Sequence, residues 1–170
     1  MKKIPLIGPE PLTPAWHEAR QQCIGASEIA AAAGLSPYQT PLELYLRKRG
    51  EMPPIEDNDA MRMGRLLEPV VKSEFVRASG LALKNPNPPM FIHPDHKAIS
   101  ATPDGIISGF DRIKNESGCE ILIPNGTIEL LECKTASWRM KGQWGDEHSD
   151  DVPDHYLCQC QAQMAVMGAD

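Results

Sequence analysis

Met63, Leu67, Val70, Val71 and Phe75 recur at steps of three and four, the spacing of one helix face, and predict a helix of about 20 residues. Pro69 falls inside that helix and should kink it or leave one carbonyl unpaired. Shorter elements precede it. Residues 1–13 form an irregular leader rich in proline and glycine, closed by Thr13-Pro14, and a helix follows that holds Trp16 to Gln22. Ser27 reads as the cap of an alanine-rich helix from Glu28 to Ala33, stopped by Gly34, with Gly25 as a hinge between the two helices. Thr40-Pro41-Leu42-Glu43 is a capped start with proline in first position, running through Leu46 to Arg49 and ending at Gly50. A proline- and acid-rich linker, Met52 to Asp57, leads into the long helix.

The centre of the chain reads as strands: Met90 to Ile92, Ala98 to Ser108 around a turn at Asp104, Cys119 to Ile123, and Thr127 to Lys134. A Pro124-Asn125-Gly126 turn should join the last two, and polar Gly109 to Gly118 reads as part of a surface insertion over 109–126. A last helix, entered near Pro153, runs from Asp154 to Met167 with Gly168 as its stop. Helices around a strand-rich centre predict one α/β domain over 1–170, with a mixed central sheet flanked by helices.

Composition narrows the class. The 170 residues are 41% apolar, enough for one core. There is no apolar run long enough to span a bilayer and no secretory leader at Met1 to Pro5, so the expectation is a cytoplasmic protein with no membrane partner. Cys23, Cys119, Cys133, Cys158 and Cys160 offer no paired framework and read as small buried apolar residues; Cys158-Gln159-Cys160 lacks iron–sulfur spacing. The five histidines have no zinc-ligand spacing. Net charge is −6, against a generic basic nucleic-acid surface, yet residues 1–84 hold 11 basic and 10 acidic side chains while 85–170 hold 6 and 13. The acidic run around Asp146 to Asp151 is most simply a solvated loop.

Within that acidic half, Asp104 follows Pro103, and Glu132 stands two residues before Lys134 after the apolar run Ile128 to Leu131. Side chains alternate along a strand, so Glu132 and Lys134 share a face and can join Asp104 on one side of a sheet. Phosphodiester hydrolysis needs a neutralised non-bridging oxygen, an activated water and a stabilised leaving oxygen, and carboxylate-held Mg²⁺ with a nearby lysine supplies them. Taken singly, each residue has a plainer reading: Pro-Asp-Gly is a common turn, and Glu132 and Lys134 suit an exposed edge strand.

Together, Pro103-Asp104 and Glu132-Cys133-Lys134 resemble the motif of the PD-(D/E)XK nuclease superfamily. The surrounding motifs, Trp16-His17-Glu18-Ala19-Arg20, Ile24-Gly25-Ala26-Ser27-Glu28-Ile29, Gly64-Arg65-Leu66-Leu67-Glu68-Pro69, Ala101 to Gly105, and Tyr156 to Gln161, resemble in order the phage lambda exonuclease branch, or YqaJ-like viral recombinases. The resemblance implies a restriction-endonuclease-like core. It implies Glu68, Asp104, Glu132 and the carbonyl of Cys133 as metal ligands, Lys134 as the catalytic lysine, and Gln159 beside it. Arg20, Ser27 and Thr102 match residues that hold the 5′-phosphate of the degraded strand, and a helix N-terminus with a forked cation suits an anion. Ser27 as a plain cap and Glu68 as a solvent-facing helix residue are the alternatives. Trp16 reads as packing, and Trp138 and Trp144 sit in a loop that could stack on DNA.

The implied function is Mg²⁺-dependent 5′→3′ digestion of linear duplex DNA ends, with Mn²⁺ as a substitute. The 3′ overhang would pass to a phage single-strand annealing protein, and the enzyme would act as a toroidal homotrimer in a bacterial cytoplasm. The chain departs from the pattern twice. Asp104 and Glu132 are far apart, which the insertion at 109–126 explains, and the chain stops at Asp170, where relatives continue into further strands and a closing helix, so a C-terminally truncated sheet is expected. Two rivals remain: an endonuclease or repair nuclease of the same fold, and an inactive DNA-end-binding module.

Overall fold

Thr13 begins the first helix by a local contact: its Oγ1 accepts the Trp16 backbone N–H at 3.2 Å, and Pro14 follows where a missing N–H costs nothing. The computed structural model describes residues 5–114, 120–146 and 149–169. It opens with β1 (Leu6–Ile7) and α1 (Pro14–Gln21), then β2 (Ile24–Gly25), a 3-10 turn at Ala26–Glu28, and α2 (Ile29–Ala32). Ser27 is therefore not the cap of an alanine-rich helix. It lies inside the 3-10 turn, where the Glu28 carboxylate accepts the Gly25 N–H at 2.8 Å. Gly25 itself is extended, with φ −72°, so it is no hinge.

In α3 (Pro41–Lys48) Thr40 and Glu43 hold each other's backbone N–H groups, at 3.2 and 2.7 Å, and Gly50 closes the helix at φ +72°. The long helix α4 (Asp59–Ser79) runs through Pro69, whose missing N–H leaves the Arg65 carbonyl without its intrahelical donor. Its apolar spacing located the helix but not its buried face. Lys72 is the buried residue of α4, while Met63, Leu66, Leu67 and Val70 are exposed.

The strands form two hydrogen-bonded groups. In the mixed sheet, ordered β1-β4-β5-β2, β4 (Phe91–Ile92) lies antiparallel to β1 and to β5 (Ile99–Ala101), and β2 runs parallel to β5. The second group is antiparallel, β3 (Leu83–Asn85) beside β6 (Gly105–Lys114) beside β7 (Glu120–Leu131). The turn expected at Pro124-Asn125-Gly126 is absent, because β7 continues through it. Ser108 pairs with Ile128 and Phe110 with Pro124, so Asn125 to Thr127 stand opposite Gly109 as a bulge, a place where a strand tolerates proline. The expected insertion is thus the far part of the β6–β7 hairpin, and residues 115–119, with Cys119, lie outside the described residues. The last strand also ends earlier than expected, at Leu131, leaving Glu132 to Lys134 just past it.

A 3-10 segment, Trp138–Gln143, leads to α5 (Asp154–Met167), stopped as expected by Gly168 at φ +62°. This helix packs on β4, β5, β7, the first 3-10 turn and α2. Val166 and Met167 enter one core cluster with Ala26, Phe91 and Ala101, each large side chain contributing about 1.5–3 kcal/mol. Trp16, Cys23 and Met90 form a second cluster beside β2. Among the described residues no helix is long and apolar enough to cross a membrane.

Candidate active site

A cleft of about 580 Å³ gathers eight of the nine candidate residues: Arg20, Ser27, Glu68, Thr102, Asp104, Glu132, Lys134 and Gln159. Residues separated by more than a hundred positions meet there because α1, the first 3-10 turn, α4, the β5–β6 connection, the end of β7 and α5 all border it. Cys133 does not line it. Its backbone N–H instead donates to Asp104 Oδ2 at 2.6 Å, tying the end of β7 to the start of β6. Gly105 allows that approach, since a Cβ there would lie 3.3 Å from Leu131 and Leu83 side-chain atoms.

Glu132 is well enclosed, 9% exposed against 35% for Glu68, and the donors it meets, Lys134, Gln159 and Gln163, all line the cleft. Lys134 Nζ lies 2.5 Å from its Oε1, as expected for residues two apart in extended chain. Gln159 also donates to Oε1, and Gln163 donates to Oε2 at 2.7 Å. The ammonium of Lys134 further faces the Tyr156 ring, 5.3 Å from its centroid, and Trp144 packs against that ring at 5.5 Å. Trp138, by contrast, is 81% exposed.

The Asp104 carboxyl is held above the ordinary carboxylate range. Burial, and then the negative charges of Glu132 and Glu68, push its carboxyl up from 3.8 to about 6, against the lowering effects of the Cys133 N–H and Lys134. Glu68 is turned to Lys72, whose Nζ sits 2.5 Å from its Oε1 and 2.8 Å from the Pro86 carbonyl. Among the described residues, no three His, Cys, Asp or Glu side chains stand close enough as placed to hold a metal ion. The donor set is still that of a hard cation: carboxylate oxygens, with two of the carboxylates raising the pKa of the third. A cation at Asp104 would relieve that repulsion.

The other wall is cationic. Arg20 lies over the Trp16 ring at 4.7 Å, donates toward Ser27 Oγ at 3.4 Å, and approaches Glu28 at 3.3 Å. Lys48 joins the same group, 2.7 Å from Glu28 and 2.6 Å from the Arg20 carbonyl oxygen. Trp16 does more than pack, because its indole N–H points at Thr102 Oγ1 over a long 3.5 Å. Sequence reasoning did not single out Lys72, Lys48 or Gln163. Two of these had a visible signal, since Lys72 is four residues from Glu68 and Gln163 four from Gln159, one helical turn in each case.

The YqaJ-like viral recombinase domain matches residues 15–170. The chain belongs to that family. Among relatives of this YqaJ-like chain, the uncharacterised protein YqaJ of Bacillus subtilis (strain 168) is 31% identical over 156 residues, 91% of this chain and 42% of the relative. The uncharacterised protein R354 of Acanthamoeba polyphaga mimivirus is 28% identical over 170 residues, all of this chain and 29% of the relative. The chain thus spans less than half the length of either. An alkaline exonuclease from Laribacter hongkongensis, LHK-Exo, superposes with a TM-score of 0.61 at 21% identity, over 92% of this chain and 70% of that one. Its complex with dAMP gives 0.56 over the same shares. The chain thus shares that protein's fold, the PD-(D/E)XK fold.

Proposed function

We propose that this YqaJ-like domain is a metal-dependent deoxyribonuclease that digests linear duplex DNA from 5′ ends. The observation that carries the reading is the single cleft that gathers Asp104, Glu132 and Glu68, a lysine paired with Glu132, and the Arg20–Ser27 pair. The solved alkaline exonuclease of the same fold supports it.

Asp104, Glu132 and Glu68, with the Cys133 carbonyl, would hold Mg²⁺, or Mn²⁺ in its place; Glu68 would leave Lys72 to do so. When bound, the ion neutralises a non-bridging phosphate oxygen and acidifies a water. Lys134 then orients or deprotonates the attacking water and offsets charge on the phosphate. Gln159 holds Glu132 in place from α5. Arg20 and Ser27, with Thr102 behind them, take the terminal 5′-phosphate, so a DNA end rather than an internal bond is presented to the carboxylates. A phage-type recombination role follows from this product, a 3′ overhang suited to a single-strand annealing protein. Ring assembly as a homotrimer belongs to the same reading, and light scattering of the purified chain tests it.

The direct test uses 5′-phosphorylated linear, 5′-hydroxyl linear and closed circular duplexes, with Mg²⁺ or EDTA, beside Lys134→Ala. Expected is release of nucleotides from 5′-phosphorylated ends only with Mg²⁺ and only with Lys134 present. Digestion that ignores EDTA or Lys134→Ala would falsify the nuclease reading. Equal cutting of circles would replace it with an endonuclease, and binding without cleavage with an end-binding module.

A further inference from the structure

Helix α5 buries two glutamines one turn apart, Gln159 at 9% and Gln163 at 1% exposure, and both amides are spent on one carboxylate. Gln159 approaches Glu132 Oε1 together with Lys134, while Gln163 holds Oε2 at 2.7 Å. Gln163 stands where the core becomes the cleft: three residues on, Val166 is buried among Phe91, Ala101 and Met167. An apolar side chain would suit that depth, since a buried amide is tolerated only when its hydrogen bonds are made. The residue's use must therefore lie with Glu132.

The choice of an amide has a specific consequence. A lysine or arginine at 163 would hold Glu132 equally well but would place a second cation on it beside Lys134. An amide gives direction without charge. Resting on the nuclease reading above, we propose that Gln163 is a positioning residue: it fixes the plane of the Glu132 carboxylate from the core side and adds no second positive charge to that of Lys134, so the carboxylate stays able to serve a divalent cation beside Asp104. Groups that orient a ligand in this way typically change metal affinity 10- to 100-fold when removed, so about that loss is expected here.

Gln163→Met keeps the length and removes the donor. Mn²⁺ binding to the DNA-free protein, by calorimetry, should weaken by about 10- to 100-fold. On 5′-phosphorylated duplex at fixed Mn²⁺, kcat should fall while KM stays, because the phosphate pocket is on the other wall; raising Mn²⁺ should restore kcat. A folded Gln163→Met with unchanged Mn²⁺ affinity and kcat overturns the assignment. Should that variant not fold, the wild-type side-chain amide signal of Gln163 in a ¹⁵N spectrum decides. A shift during Mg²⁺ titration with the calorimetric midpoint supports the assignment, and a signal indifferent to Mg²⁺ overturns it. Wild-type protein that neither binds Mn²⁺ nor releases nucleotides overturns the nuclease reading, and this assignment with it, whereas metal binding indifferent to residue 163 overturns the assignment alone.

Discussion

Asp104→Asn should stabilise the metal-free protein, although it removes a proposed ligand. The Asp104 carboxyl stands near 6 instead of 3.8, because it is buried and faces the charges of Glu132 and Glu68. At about 1.4 kcal/mol per pH unit, ionising it costs the fold about 3 kcal/mol. The sign is set by linkage: a carboxyl whose folded pKa is raised binds its proton more tightly in the folded state, so stability falls as pH rises from about 4 to about 6 and stays low above. Asparagine is uncharged throughout and its oxygen can still accept the Cys133 N–H, now held at 2.6 Å. In EDTA at about pH 8 the variant should gain up to about 3 kcal/mol, and at about 2–4 °C per kcal/mol for a chain of this size its melting temperature should rise by about 6–12 °C. At about pH 4 the two proteins should melt nearly together.

The same reasoning reverses with metal. A cation that binds only the folded protein stabilises it by about 2.7 kcal/mol at a hundred times its dissociation constant. Wild type in Mg²⁺ should therefore recover most of the lost stability at about pH 8 and little at about pH 5, where the ion must displace a proton. Asp104→Asn should show almost no Mg²⁺ effect. Melting curves of both proteins across that range, with and without Mg²⁺, make the test. An Asn variant no more stable than wild type at about pH 8, or one whose advantage persists at about pH 4, would refute the electrostatic argument.

Lys134→Ala should lower nucleotide release by about 10²–10⁴-fold while leaving the far-ultraviolet spectrum unchanged, since Gln159 and Gln163 still hold Glu132. Lys48→Met removes the cation that Glu28 shares with Arg20, and urea unfolding should show a loss of about 1–3 kcal/mol. The same variant should raise KM for 5′-phosphorylated but not 5′-hydroxyl duplex, because Arg20 is then drawn to Glu28. Gly168→Ala at φ +62° should cost about 1–2 kcal/mol in a thermal melt, strain alone, since nothing lies within 4 Å of its Cβ. Gly142→Ala, equally uncrowded and not left-handed, is the control and should be neutral.

Features encoded by neighbours in sequence were the ones that could be read from it. The ends of α1, α3 and α5 follow from Thr13, Thr40 with Glu43, and Gly168, each acting within a turn of its own position. The bulge at Asn125 to Thr127 could not be read this way, because Pro-Asn-Gly has the local chemistry of a turn and only pairing with β6 keeps it in a strand. Ser27 failed as a cap because it sits inside the 3-10 turn Ala26–Glu28, which leaves Glu28 as the residue ahead of α2. In α4 the apolar stripe indicated a helix, yet the buried side chain is Lys72, drawn inward by Glu68 and the Pro86 carbonyl rather than by hydrophobicity. The candidate site was named through motifs, and the cleft brings together all but Cys133 of those residues. Their partners were not legible, since a buried glutamine and a surface glutamine look alike until the helix is packed.

The distribution of partners in the cleft explains why its carboxylates are not equivalent. Glu68 has Lys72 and Glu132 has Lys134, each at 2.5 Å, so two of the three negative charges are answered from within the fold. Among the described residues, Asp104 receives one backbone N–H and the more distant field of Lys134, too little to offset burial between two other acids. A DNA phosphate brought to Arg20 would meet that same repulsion, because it adds negative charge beside an acidic wall. On the reading proposed above, cation binding at Asp104 and phosphate binding at Arg20 would therefore be coupled through charge even without contact between their ligands. On the same reading, Gln159 and Gln163 add no charge to that of Lys134 on Glu132, because a further cation there would weaken the demand for a metal and leave a cleft that bound DNA without cutting it.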